Sequence, residues 1–178
     1  MLDSRVNVLW FSKEKYIPGN EVPEHSHSFF HYIYIMDGAA RINISGRTFL
    51  AHKGELFLVQ QGLRHSIEAI DPKGLQTIEV KFEICSGELA ADVAKLEMHM
   101  KLPQPKVRMT LEGFILEGMR RESYYADLIN LRFTELLIYL VRSVSCCTGK
   151  DMKNENSDGM QYDGQEDSCI LSLNKAIG

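Results

Sequence analysis

Between Gly19 and His65 the chain places four of its six histidines in the stretches GNEVPEHSHSFFHYIYIMDG and GELFLVQQGLRH. Neutral imidazole both donates and accepts hydrogen bonds and is a common ligand of divalent metals. His25, His27 and His31 share parity, and side chains alternate faces along a strand, so a single strand would present all three on one face. His65 has to arrive from another strand. If a small barrel brings the four together, they form a metal site, a polar floor for a small ligand, or a set of interior histidines with satisfied hydrogen bonds. Phe29 and Ile33 have the same parity and would line the same pocket. His52 and His99 fall outside this pattern and are expected at the surface.

The elements that position these residues are legible as short β-like runs over residues 5–84: VNVLWF, FFHYIYIM, ARINI, TFLA, ELFLV, HSIEAI and QTIEVKFEI. β-branched and aromatic residues dominate them. Asp37-Gly38 and Ser45-Gly46 read as hairpin turns, and Lys53-Gly54 and Pro72-Lys73-Gly74 as further turns. Many short strands with close turns predict a sandwich or barrel. Tyr32, Tyr34 and Met36 alternate opposite to the histidines and are expected to pack beneath helices.

After residue 87 the period changes. Leu89, Val93, Leu96 and Met100 fit one helix ending before Pro103, and a second helix is expected from an N-cap at Thr110. Ile129, Phe133, Leu136, Leu137, Leu140, Val141 and Val144 mark a third with a broad apolar face. That face either covers an open end of the barrel or forms a dimer seam. Residues 149–168 carry six acids against two lysines, a charge of −4 that equals the chain's total. This segment reads as a flexible linker, and Ile170, Leu173 and Ile177 in the last ten residues as the start of a helix cut short.

The chain has 178 residues, 44% of them apolar, enough for one good core and little beyond it. Its net charge of −4 gives no general attraction to phosphate backbones, so these residues are not expected to bind nucleic acid by themselves. The four cysteines show no CxxC pair, and no basic stretch with an apolar core opens the chain. A reduced, cytoplasmic protein is expected. LLIYLV at 136–141 is far too short to span a bilayer. No Ser-His-Asp or Cys-His arrangement and no phosphate-binding Gly-rich loop is present, so no catalytic residue is assigned.

Gly19, His25, His27, His31 and Gly38 resemble the first motif of the cupin family, with His31 where the family has Glu. Gly54, Gly62 and His65 resemble the second, with Gln60 in place of its Pro and Ala69 in place of its Asn. The string from His25 to Ala69 is similar to the N-terminal sensor domain of AraC/XylS-type transcriptional regulators. The resemblance implies a mainly-β cupin barrel, of jelly-roll or double-stranded β-helix type, followed by C-terminal α-helices. It implies a sensor barrel over 1–105, a helical dimerisation segment over 106–148, a linker over 149–168, and at 169–178 the start of a DNA-binding domain otherwise absent. A small effector, a sugar or an aromatic acid, would bind at His25, His27, Phe29, His31, Ile33 and His65. The implied partners are that effector, a second copy of the chain through its helices, and DNA only through the missing domain.

In metal-dependent cupins the corresponding positions hold a divalent ion, here His25, His27, His31 and His65, which suits zinc, nickel, iron or copper. The loss of Glu at position 31 leaves such an ion without a charged ligand. The sensing reading therefore requires no cofactor and no enzymatic activity. A stand-alone metal-dependent dioxygenase or isomerase is the rival.

Overall fold

In the computed structural model, the description covers residues 6–85, 87–101 and 104–148. Nine strands and three helices follow one another in these segments. Strand β1 runs Val6–Tyr16, β2 Glu21–His25, β3 Phe30–Asp37, β4 Ala39–Ile44, β5 Arg47–His52, β6 Glu55–Val59, β7 His65–Ala69 and β8 Leu75–Ile84. Helix α1 (Glu88–Val93), strand β9 (His99–Lys101) and helices α2 (Gln104–Arg120) and α3 (Tyr125–Thr148) complete them. One sheet has five strands in the order β1-β8-β3-β6-β9, the other four in the order β2-β7-β4-β5. Every pairing is antiparallel. The chain crosses repeatedly between the two sheets, staying within one only at β4–β5 and β8–β9, and gives a mainly-β cupin barrel followed by C-terminal helices, as the motifs imply.

The five-stranded sheet separates two apolar cores by residue parity. Phe30, Tyr32, Tyr34 and Met36 of β3, with Ile78, Val80 and Phe82 of β8, face α2 and α3 and join Val107, Leu111, Phe114, Phe133, Leu136, Leu137 and Leu140. Ile33 and Ile35 point the other way and meet Ile42, Ile44, Phe57, Val59 and Ile67 inside the barrel. The placement of Tyr32, Tyr34 and Met36 beneath helices is thus as read from parity. From Phe133 to Val141 the apolar stripe of α3 covers the outer face of the sheet and not an open end of the barrel. Phe133 contacts the rings of Tyr32, Phe82 and Phe114 there.

Several local expectations are corrected. Asp37-Gly38 does not close a hairpin, because β3 and β4 lie in different sheets; it is the corner at which the chain changes sheet. Gly38 has φ 83°, and a Cβ there would sit 2.1 Å from the carbonyl oxygen of Gly74, so only glycine fits. Ser45-Gly46 does form the expected hairpin, with φ 50° and 78° and a register running from Ile44↔Arg47 to Ala39↔His52.

Leu89, Val93, Leu96 and Met100 are all buried, but not on one helix: α1 stops at Val93, and Met100 belongs to β9, paired with β6. Burial followed the helical period while the backbone changed type. Thr110 is no N-cap; it lies inside α2, where its hydroxyl donates to the carbonyl of Lys106. The expected linker at 149–168 and the short final helix at 169–178 lie outside the described residues. Among the described residues no helix is long and apolar enough to cross a membrane.

Candidate metal and ligand site

The histidines converge, but not by the parity of a single strand. His25 ends β2 in the four-stranded sheet, His27 lies in the following loop, and His31 opens β3 in the other sheet. The register of β2 on β7 shifts between Val22 and His25, across Pro23. Proline has no amide hydrogen for the ladder and is tolerated on an edge strand such as this one, and the irregularity re-aims the residue after it. His25 then pairs directly with His65 of β7, their ring centroids 4.2 Å apart. The loop is pinned from the second motif: the amide of Gly62 donates to the carbonyl of His27 at 2.8 Å.

Each of three rings is fixed through Nδ1. That nitrogen of His25 donates to Pro23 O at 2.9 Å, that of His27 to Phe29 O at 2.8 Å and that of His65 to Leu63 O at 3.2 Å. A carbonyl only accepts, so each Nδ1 carries the hydrogen and each Nε2 keeps its lone pair. His27 Nε2 is buried and, among the described residues, has no hydrogen-bond partner. The ligand nitrogens of His25, His27 and His65 lie within 4.8 Å of one another. Zinc–imidazole bonds of about 2.0–2.1 Å need a closing movement only on the order of 1 Å from there. Burial, ahead of the neighbouring imidazoles, pushes the His65 ring down to about 4 and lowers His27 as well. Both are therefore neutral near pH 7, the form that binds a metal. The donor set and the orphaned nitrogen fit a divalent ion.

His31 adjoins this trio, its ring centroid 5.5 Å from that of His27 and 5.6 Å from that of His65. Its Nε2 donates to Glu79 Oε2 at 3.0 Å, and its Nδ1 faces His65 Nε2 at 3.5 Å. The carboxylate missing from position 31 is thus supplied behind the ring, by β8. Burial pushes the Glu79 carboxyl up. Its hydrogen bond and charge interaction with His31, with hydroxyl donations from Tyr16 at 2.7 Å and Thr77 at 2.8 Å, hold it below the usual carboxylate range. A carboxylate behind a histidine is a common outer-shell arrangement in metal sites, fixing tautomer and ring orientation. Of the four expected ligands, His25, His27 and His65 present nitrogens within 4.8 Å of one another, and the His31 ring lies beside them.

Of the other expected pocket residues, Phe29 is half-buried and stacked on His27, with ring centroids 4.0 Å apart at 9°. Ile33 is enclosed in the inner core, two residues deeper than His31 on the same face. His52 is exposed as expected. His99 is not: it is half-buried, stacked on Phe57 with ring centroids 4.6 Å apart, and hydrogen-bonded to Glu55 at 3.1 Å. Two cavities lie elsewhere, one of about 620 Å³ between β1 and the α2–α3 pair and one of about 390 Å³ at Arg47, Phe49 and Leu96–His99. None of the four motif histidines lines either of them.

Tyr16, Thr77, Glu79 and Lys81 were not anticipated at the site. For the three on β8 the signal is the alternation in LQTIEVKFEI, where polar Thr77, Glu79 and Lys81 interleave with Ile78, Val80 and Phe82. Such alternation usually marks a solvent face. Closure of the barrel turns it inward.

The two sheets, with the histidine cluster at one end, define a cupin-type barrel. More particularly, residues 13–96 match the family model of the AraC-like ligand binding domain. None of the curated proteins matches the chain. Among solved structures it is similar to a predicted oxalate decarboxylase from Thermotoga maritima, at 26% identity over 42% of this chain and 66% of that one, with a TM-score of 0.41. An RmlC-like cupin from Shewanella frigidimarina is 20% identical over 44% of this chain and 66% of its own, TM-score 0.39. Bacillus subtilis oxalate decarboxylase, a protein with Mn(II) centres, is 22% identical over 62% of this chain and 29% of its own, TM-score 0.39. The chain spans 66% of the length of the first two.

Proposed function

We propose that this chain is the ligand-sensing part of an AraC-type transcription regulator. A small effector would bind at the histidine-lined mouth of the barrel and alter how attached DNA-binding domains are presented. The match of residues 13–96 to the ligand-binding family carries this reading. His31 and Tyr32 are neighbours on β3, one facing the site and the other the helices, where Tyr32 touches Phe133, so the site and the helices share a strand.

The helices also carry the proposed dimer contact. The α3 stripe from Ile129 to Val141 packs within the chain, so the seam falls to outward residues: Met109, Leu116 and Met119 of α2 and Leu131 of α3, which are 57–77% exposed. Light scattering should give a dimer, and replacing Leu116 and Met119 with Glu should give a monomer. A monomeric wild type at high concentration removes this part.

The test of sensing is a thermal-shift screen of sugars and organic acids on the wild type and a His25→Ala/His65→Ala double variant. Stabilisation by one class, lost in the variant, supports the reading; no stabilisation by any compound overturns it.

The convergence of three Nδ1-anchored imidazoles supports a second reading, a metal-dependent cupin enzyme. His25, His27 and His65 would hold the ion, with His31 and Glu79 behind them. When bound, such an ion would polarise an oxygen of a small substrate. Metal analysis of protein purified without chelator or affinity tag separates the two. A stoichiometric ion lost in the double variant, with no effector response, favours the enzyme.

A further inference from the structure

Among the described residues, one cation at the mouth of the barrel has no counter-charge. Lys81 is the cross-strand neighbour of His31 on one side and of Trp10 on the other. It lies on the inward face of β8 with Thr77 and Glu79. Its Nζ sits 4.5 Å from the centre of the Trp10 ring and 6.0 Å from that of Phe29, and Phe29 is itself stacked on His27. The side chain is half-buried, and among the described residues no carboxylate lies within ion-pair distance of it. Glu79, two residues earlier on the same face, is already occupied by His31, Tyr16 and Thr77.

An ammonium group taken partly out of water is normally paired with an anion. Ring faces attract it, but they leave ammonium hydrogens with no acceptor. The strand register holds this unpaired donor one strand from His31, beside the His27 ring whose Nε2 has no partner. A metal on the neutral imidazoles would add positive charge and no compensation. Flanking Trp10 and Phe29 offer apolar surface to the remainder of a ligand.

We propose that Lys81 is the anion-holding residue of this site and that the effector it selects is a small carboxylate rather than a neutral sugar. The assignment rests on the ligand-binding reading above and names the ligand's charge. The carboxylate would accept from the Lys81 ammonium, with its hydrocarbon part against Phe29 and Trp10. Binding involves no covalent step.

Calorimetric titration of the full chain tests this, after dialysis against chelator and again after zinc loading. The probes are benzoate, pyruvate and succinate, each beside its neutral amide, and arabinose and glucose. Wild type should bind at least one carboxylate and none of the amides. Lys81→Met should weaken that carboxylate by about tenfold or more in both metal states, while Lys81→Arg stays within a few-fold. Unliganded melting temperatures of both variants show that they are folded. Equal binding of acid and amide overturns the proposal, as does carboxylate binding unchanged in Lys81→Met or the absence of any carboxylate binding. A carboxylate held only with zinc present, and equally by Lys81→Met, also overturns it, because the metal then holds the anion. A neutral sugar bound alike by wild type and Lys81→Met leaves the sensing function standing and removes the anion assignment.

Discussion

The two faces of the five-stranded sheet are built from the same strands and ask for opposite chemistry. On the helix side, β3 and β8 present Phe30, Tyr32, Tyr34 and Met36 beside Ile78, Val80 and Phe82, all buried in one apolar cluster. On the barrel side the same strands present Ile33 and Ile35 deep in the interior and His31, Glu79 and Lys81 toward the mouth. The helix face is uniform, so it stabilises wherever it is close-packed. The barrel face is graded, and its polar end concentrates buried titratable groups that an apolar core would avoid. Such groups are retained where a ligand or ion uses them. Changes on the first face should therefore move stability alone, and changes at the mouth should move binding as well.

The largest expected effect is on the helix face. Phe133 is fully buried with three ring neighbours, and Phe133→Ala should cost about 3–5 kcal/mol in chemical denaturation. Where the variant still folds, its zinc and carboxylate affinities should match the wild type. A selective loss of binding in folded protein breaks the separation of the faces. Glu79→Ala comes next. It leaves His31 Nε2, the Tyr16 hydroxyl and the Thr77 hydroxyl without their shared acceptor, a loss of about 2–3 kcal/mol. Because it also releases the His31 ring, zinc affinity measured by competition should fall about 10–100-fold. Unchanged zinc affinity would show that His31 plays no part in the site.

Much of the barrel was legible because its signals are local. The Ser45-Gly46 turn, the parity of Tyr32, Tyr34 and Met36, and the histidine spacings each lie within a few residues. What was not legible depends on closure. His25 and His31 lie in different sheets, and no local pattern announces that the chain changes sheets between them. Glu79 carries the site's carboxylate on a strand that resembles one with a solvent face, and only the register of β3 on β8 brings it to His31. The stripe from Leu89 to Met100 misled for the converse reason: a turn and a short strand bury residues at spacings a helix also uses.

A smaller effect of opposite sign tests the helix face again. The Tyr32 hydroxyl is buried with no hydrogen-bond partner among the described residues, and burial raises its pKa well above the ordinary tyrosine value. On a face this apolar the hydroxyl is a cost without return. Tyr32→Phe should raise stability by about 1 kcal/mol, read as a higher denaturation midpoint at unchanged slope. A destabilised variant would mean that a water satisfies the hydroxyl and that polarity reaches this face too.

The smallest effect concerns the rim, where Glu55 receives His99 Nε2 at 3.1 Å, Lys101 Nζ at 3.1 Å and the backbone amide of His52 at 3.1 Å. Burial pushes this carboxyl up, but the His52 amide, Lys101 and His99 together hold it below its ordinary value of 4.5. A carboxyl lowered in the folded state binds fewer protons there than in the unfolded chain. Its contribution is therefore complete above pH 4.5 and is lost as pH falls through the folded-state value. Glu55→Gln should lower stability by about 1–2 kcal/mol at pH 7 and by progressively less as the pH drops below 4.5. Melting curves from pH 7 to 3 should converge for the two proteins at the acid end. A constant gap would assign the loss to the packing of β9 on β6, with the ion pairs adding nothing. The rim would then hold together by shape alone, like the helix face and unlike the mouth.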